Sequence, residues 1–275
     1  MIDKKVGIIG YGSMGSMLLN GFIDSNIIKK SNLYVSTRTR EKLLNLKNIG
    51  ITICSSNNEL VNKSDLIFIC VKPLEIKDIL NEIVNNLTNN KHIISIAGSV
   101  TIENLESIYK GKISRVLPTL ISEIKEGITL VCHNSKVLSE DKRILEELLN
   151  TISMVKNIPE NEFELVSDLT SCAPGLIASI FREYVNSAML HTSINKKEIS
   201  DIVIKTLFGT AKLFYEKNFD FDNTIKRVAT KGGATEAGVQ VLENKLPEVF
   251  NEMLNKTLER QKSRKQKIDE QFNSL

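Results

Sequence analysis

The chain has 275 residues, 36 Lys and Arg against 33 Asp and Glu, and 41% hydrophobic residues, enough for two ordinary globular domains and too apolar and evenly charged for a disordered or fibrous protein. A net charge of +3 is too small to imply a nucleic-acid partner. No apolar run approaches the ~20 residues that span a bilayer, so no membrane partner is expected either.

In chain order, Met1 to Lys5 lead directly into the apolar run Val6-Gly7-Ile8-Ile9, with no secretory h-region before it. The next six residues, Gly10-Tyr11-Gly12-Ser13-Met14-Gly15, precede an amphipathic, helix-like stretch. A strand, a tight turn and a helix in this order cradle a dinucleotide pyrophosphate. Gly10 permits the sharp turn, Gly12 lets the backbone approach the phosphates, and Gly15 allows close packing of helix on strand. The first amides of the helix then face the anion. The glycine turn therefore reads as a cofactor site.

The second β-rich run, at Leu33, ends in Ser36-Thr37-Arg38-Thr39-Arg40. NAD-preferring sheets place a carboxylate here for the ribose 2′-hydroxyl. Two hydroxyls and a guanidinium suit a 2′-phosphate instead, each charge-assisted contact being worth about 1.5–3 kcal/mol. The expected cofactor is NADP(H), with NAD(H) left open; the plainer alternative is that Arg38 and Arg40 begin a solvated helix. Further strand candidates start at Ile51, Asp65, His92, Ile113, Gly127 and Met154, and helical patterns lie near 40–47, 74–87 and 139–150. Leu66 to Val71 is apolar on both faces, as in the middle of a parallel sheet covered by helices. This alternation predicts an α/β, doubly wound Rossmann domain over residues 1–159.

After Pro159 nearly every segment has helical spacing, with Ile177, Ile180, Phe181, Tyr184 and Ala188 on one stripe, predicting an all-helical domain over 160–275. Apolar stripes over 166–190 and 199–214 have little second layer to cover them within one chain, so an obligate homodimer is expected. Lys231-Gly232-Gly233-Ala234-Thr235 precedes a helical stretch. Its amides suit a substrate carboxylate, although Gly-Gly could equally end one helix and Thr235 cap the next. The basic cluster at 260–267 is flanked by Glu259, Asp269 and Glu270 and reads as a solvated helix end. His92, His133 and His191 are scattered, so no metal site is expected. Cys54, Cys70, Cys132 and Cys172 show no CxxC pair and read as buried free thiols, which with the chain start places the protein in the cytoplasm.

The chain resembles the pyrroline-5-carboxylate reductases, which reduce a cyclic imine to proline with NAD(P)H. Beyond the glycine turn, Val71-Lys72-Pro73 is similar to the family's VKP on the nicotinamide side. Ile94-Ser95-Ile96-Ala97-Gly98 is similar to its ISxxAG strand end, and Arg115-Val116-Leu117-Pro118 to its RxMP. Ser171-Cys172-Ala173-Pro174-Gly175 stands where the family writes SGSGPAY, and Lys231 to Thr235 where it writes PGG(T/A)T. The resemblance implies that Val71, Lys72, Pro73, Ala97, Gly98 and Asn57 join Gly10 to Gly15 and Ser36 to Arg38 at the cofactor. It implies that Gly232, Gly233, Ala234 and Thr235 bind the imine, with the Thr235 hydroxyl on its nitrogen, while Lys231 in place of the family's Pro would add a positive charge beside the substrate carboxylate. It further implies a helical dimerisation domain and an interlocked homodimer or higher homo-oligomer, with the active site between its halves.

Thr119, Leu176 and Lys231 depart from the family's Asn, Tyr and Pro. The middle motif and the run after Lys231 are also similar to the ComER-like, late-competence branch, which keeps open an NADP-binding regulatory protein or a reductase of another imine. A β-hydroxyacid dehydrogenase lacks support, because the stretch from Leu176 to Tyr184 has no Lys to donate a proton.

Overall fold

The computed structural model describes residues 1–43, 46 and 48–274, with Arg40 described by its backbone alone. It divides into two compact units, one of residues 1–172 with 258–275 and one of residues 173–257.

The first unit is a sheet of eight described strands: β1 (Val6–Ile9), β2 (Leu33–Ser36), β3 (Thr52–Ile53), β4 (Leu66–Ile69), β5 (His92–Ser95), β6 (Lys112–Leu117), β7 (Gly127–His133) and β8 (Ser153–Asn157). Their order is β3-β2-β1-β4-β5-β6-β7-β8, parallel throughout except for the β6–β7 pair. β1 and β4 are buried at every residue. Side chains alternate between two cores, as a period of two requires. Ile8 and Phe68 point to a core with Leu18, Leu19 and Phe22 of α1 (Ser13–Ser25). Ile9, Ile67 and Ile69 point to another, with Leu60 of α2 (Asn57–Lys63) and Ile76, Leu80 and Ile83 of α3 (Ile76–Ile83). The doubly wound sheet is thus covered on both faces.

All eight strand candidates are present. The pattern near 40–47 begins as a 3₁₀ turn over Arg40–Leu43; Leu44, Asn45 and Lys47 lie outside the described residues. That near 74–87 is the turn Pro73–Glu75, then α3, then the turn Val84–Asn86. Two helices went unread, α2 and α4 (Ile102–Ile108). At seven residues each they show too few turns for a periodic signal and are marked by their caps. Ser56 accepts from the Glu59 amide at 3.1 Å, and Thr101 from the Asn104 amide at 3.1 Å. The helix expected at 139–150 is α5 (Ser139–Leu149).

Texture and packing divide the chain at different places. Residues 160–172, read above as helical-domain sequence, fold as α6 (Phe163–Ser167) and a π-helical turn (Asp168–Cys172) and belong to the sheet unit. Phe163 is buried in the α3-side core. The guanidinium of Arg115 lies 4.7 Å over its ring and 2.6 Å from Glu160. The end of the chain returns to the same core through Ile268 and Phe272. Asn104 Nδ2 donates to Asp269 at 2.9 Å and Gln271 Nε2 donates to Leu74 O at 2.9 Å. Lys262, Arg264, Lys265 and Lys267 are exposed.

The second unit consists of α7 (Ala173–Ala188), α8 (Lys196–Lys217), α9 (Phe221–Val228) and the first part of α10 (Ala234–Asn273). Its apolar side chains are mostly uncovered in the single chain. Ile177, Ile180 and Tyr184 of the expected stripe, Ile202, Ile204 and Phe208 of α8, and Val241, Leu242 and Val249 of α10 are all exposed. A groove of about 420 Å³ between α7 and α8 is lined by Ile177, Phe181, Val203, Ile204 and Leu207. A surface this apolar on so small a unit is an association surface.

Cys54 and Cys132 are buried, and burial pushes their thiols up to about 11 and about 12. The expectation of buried thiols fails at Cys172, which is exposed because the π-helical turn leaves it outside the core. Among the described residues, no helix is long and apolar enough to cross a membrane.

Candidate functional site

The parallel register decides which residues meet. Ile9 lies beside Ser36 on one side and Ile69 on the other, and Ile69 lies beside Ser95. Four segments therefore leave the sheet at one level: the glycine turn after β1, Ser36-Thr37-Arg38 at β2, Val71-Lys72-Pro73 after β4, and Ala97-Gly98 after β5. Backbone bonds join them at the crest, with Gly10 N donating to Ser36 O at 2.8 Å and Cys70 N donating to Ile9 O at 2.7 Å. β1 sits between β2 and β4, so the strand order reverses here, and ligands of open α/β sheets bind at such a switch point.

The glycines fit a dinucleotide. Gly10 has φ +96°, and a Cβ there would stand 2.5 Å from Cys70 O. At Gly15 a Cβ would stand 2.1 Å from Gly10 O, so the helix could not pack as closely. At Gly12 a Cβ would meet nothing within 4 Å: the space beside it is open. Gly12 is the N-cap of α1, offers no capping side chain, and has no acidic residue in the turn that follows. The first amides of a 13-residue helix therefore remain for an anion, with Tyr11, Ser13 and Met14 around them.

At the end of β2, Ser36 Oγ donates to Asn57 Oδ1 at 2.9 Å, and Asn57 Nδ2 donates to Glu82 at 2.8 Å. Arg38 pairs with Glu75 at 2.5 Å, and the other carboxylate oxygen of Glu75 accepts the Lys72 amide at 3.2 Å. Burial raises the Glu75 carboxyl, but the Lys72 amide and the Arg38 guanidinium outweigh it and hold the group below the usual carboxylate range. The side chain of Arg40, named above with Arg38 in the alternative of a solvated helix start, lies outside the described residues. Sequence reading missed Glu75 and Glu82 because they lie 37 and 25 residues from the side chains they contact.

After β5, Ala97 is buried and its amide donates to Ser95 Oγ at 3.3 Å. Ser99, also missed, follows Gly98 in the left-handed region at φ 66°, a conformation costly for serine and recurrent at binding loops. Farther along the crest the Thr119 hydroxyl is buried and, like that of Ser122, has no hydrogen-bond partner among the described residues. His92 and His133 serve the sheet: both share the Ser114 hydroxyl, at 2.7 and 2.6 Å.

In the second unit, Lys231 to Thr235 form the turn into α10, with Gly232 at φ +75°. Its amides are partly used: Gly232 N donates to Glu236 at 2.7 Å and Gly233 N to Thr230 O at 2.8 Å. The amides of Ala234 and Thr235, at the start of α10, have no hydrogen-bond partner among the described residues and are left for an anion. Thr235 is exposed, and as the second residue of α10 it stands past the N-cap position, so its hydroxyl is not spent on capping.

Sheet order, switch point and glycine turn define a Rossmann-type, dinucleotide-binding oxidoreductase unit. Comparison with known proteins agrees: residues 5–99 match the family described as NADP oxidoreductase, coenzyme F420-dependent, and residues 160–264 match pyrroline-5-carboxylate reductase dimerisation. Pyrroline-5-carboxylate reductase 3 of Bacillus subtilis (strain 168) is 38% identical over 93% of this chain and 94% of its own length. ComE operon protein 4 of the same organism is 30% identical over 92% and 93%. A crystal structure of Plasmodium falciparum pyrroline carboxylate reductase with NADP bound superposes with a TM-score of 0.83 at 26% identity, covering 98% of this chain and 99% of that one. The chain belongs to the pyrroline-5-carboxylate reductase family.

Proposed function

We propose that this protein reduces the cyclic imine 1-pyrroline-5-carboxylate to L-proline with NADPH, the last step of proline formation. The observation that carries the reading is the crest where the open Gly12 turn, Ser36 to Arg38, Val71 to Pro73 and Ala97-Gly98 converge, in a chain of this family. The bound cofactor supplies the hydride. Gly10 to Gly15 hold its pyrophosphate at the α1 N-terminus; Ser36, Thr37, Arg38 and Asn57 take its ribose end; and Val71, Lys72, Pro73, Ala97 and Gly98 flank its nicotinamide.

Lys231 and the amides of Ala234 and Thr235 bind the substrate carboxylate by charge and by the helix N-terminus. The Thr235 hydroxyl would donate a hydrogen bond to the imine nitrogen, which orients the C=N bond and supports the negative charge that grows on nitrogen as the carbon receives hydride; a proton from solvent then completes the secondary amine. No metal is needed for these steps. The working form is a cytoplasmic homodimer or higher homo-oligomer, in which the exposed apolar faces of α7, α8 and α10 are covered by a second copy.

A second reading is favoured by the ComE operon relative together with Leu176 and Lys231: an NADP-binding regulatory protein, or a reductase of a larger or more acidic imine. Purified protein given NADPH and 1-pyrroline-5-carboxylate decides between them. Consumption of NADPH with matching appearance of proline supports the first; tight NADPH binding without turnover supports the second.

A further inference from the structure

The amino acids after β2 contain no carboxylate, yet the fold brings two to that place. Glu75 reaches Arg38 at 2.5 Å from the turn Pro73–Glu75, and Glu82 reaches Asn57 at 2.8 Å from α3. We propose that Glu75, seconded by Glu82, sets the cofactor choice of this chain by holding at the ribose site a negative charge that a 2′-phosphate must displace and a 2′-hydroxyl need not. The inference rests on the reading of Ser36, Arg38 and Asn57 as the ribose site.

Glu75 is placed there by more than the ion pair. Its second oxygen holds the Lys72 amide, and its turn is pinned from behind where Gln271 Nε2 donates to Leu74 O at 2.9 Å. Lys77 Nζ in turn caps the end of α10 by donating to Gln271 O at 2.7 Å and Ser274 O at 2.5 Å. Donors that a phosphate would need are already committed: the Ser36 hydroxyl proton to Asn57, an Asn57 amide proton to Glu82, and one edge of the Arg38 guanidinium to Glu75. What the site adds beside the remaining guanidinium N–H groups, the second Asn57 amide proton and the Thr37 hydroxyl is carboxylate acceptors, which match a ribose hydroxyl and repel a phosphate. A guanidinium has five N–H donors and can serve a phosphate and a carboxylate together, so the effect is graded. Arg38 is 89% exposed, and an exposed pair shifts an equilibrium only several-fold and less at high salt.

The test is titration of the full-length protein with NADPH and with NADH, without substrate, for the wild type, Glu75→Gln and Glu75→Asp. Glu75→Gln keeps an acceptor for the Lys72 amide and removes the charge. It should tighten NADPH about three- to tenfold while NADH changes less than twofold, with the gain shrinking as salt is raised. Glu75→Asp, which keeps the charge but draws it back, should move the same ratio less, and serves as the readout if Glu75→Gln does not fold. An unchanged NADPH-to-NADH ratio overturns the inference, and so does weaker NADPH binding, which would make Glu75 only a support for Arg38. Arg38→Asp separates this failure from that of the ribose reading: if it leaves the ratio untouched the ribose assignment falls, whereas a more than tenfold loss specific to NADPH keeps it.

Discussion

The guanidinium of Arg115 meets the carboxylate of Glu160 at 2.6 Å across the point where the sequence changes from strand-rich to helical. Arg115 is 3% exposed and also faces Glu164 at 3.7 Å, while Glu160 additionally accepts the Ile102 amide at 2.8 Å. Removing one partner of a buried pair leaves an uncompensated charge, a loss of 3–5 kcal/mol in dry sites. Here Glu160 is a third exposed and Glu164 stands in reserve, so Glu160→Ala should destabilise the protein by about 1–3 kcal/mol. A urea midpoint equal to that of the wild type would contradict this.

Acid should weaken the fold below pH 6.5. Burial is the main cause holding His92 far below its ordinary value, at about 3, and burial likewise lowers His133. Unfolded histidines bind protons near pH 6.5, whereas folded His92 stays neutral to far lower pH and folded His133 takes its proton less readily than when unfolded, so the unfolded state gains protons first as pH falls. Stability is therefore complete above pH 6.5 and is lost progressively from there down toward pH 3, by up to about 1.4 kcal/mol per pH unit for His92 alone. Melting curves from pH 8 to pH 5 check the trend. His92→Asn, with nothing to protonate at that position, should show a shallower slope.

The roles of the second and third glycines of the turn separate on substitution. At Gly15 an added methyl would stand 2.1 Å from Gly10 O, so Gly15→Ala must push α1 off β1 and should cost about 1–3 kcal/mol or more. At Gly12 the methyl meets nothing within 4 Å of the protein, so Gly12→Ala should change stability by less than about 0.5 kcal/mol. It occupies the space proposed for the pyrophosphate, and NADPH affinity should fall more than about tenfold, or ~1.4 kcal/mol. Calorimetry and cofactor titration on the two variants give opposite rankings if this is correct.

Thr235→Ala should lower turnover roughly 10- to 100-fold, the worth of one hydrogen bond of about 1–3 kcal/mol in the transition state, and leave NADPH binding intact. Its hydroxyl lies past the N-cap position of α10, so thermal stability should hardly move. Unchanged activity in the folded variant would remove Thr235 from the mechanism.

Association should be obligate. With Ile177, Ile180, Ile202, Ile204 and Phe208 exposed in one chain, a second copy is required to cover α7 and α8. Sedimentation at micromolar concentration should show a dimer or larger species; a stable, well-folded monomer would be incompatible with that.

What the sequence determined by itself was carried by neighbours along the chain, in segments long enough to repeat a pattern or to hold a complete motif; α2 and α4 were too short for that. All eight strands were legible because each is a short apolar run with breakers at its ends, and the glycine turn because its three roles sit within six residues. The helical character of the second half was legible in its 3.6-residue period. Tertiary structure alone decided where the packing boundary lies, since Phe163, Ile268 and Phe272 enter the first unit's core only because β6 brings Arg115, the turn before α3 brings Leu74, and α4 brings Asn104, to meet them. It also decided the charge beside the end of β2. The absence of a carboxylate after β2 is a local fact, but Glu75 and Glu82 arrive from the far side of β4, at a separation that no periodicity or motif spacing records. Local propensity acts over one or two turns of chain, whereas the electrostatics of a site at a sheet crest are summed over every strand that ends there.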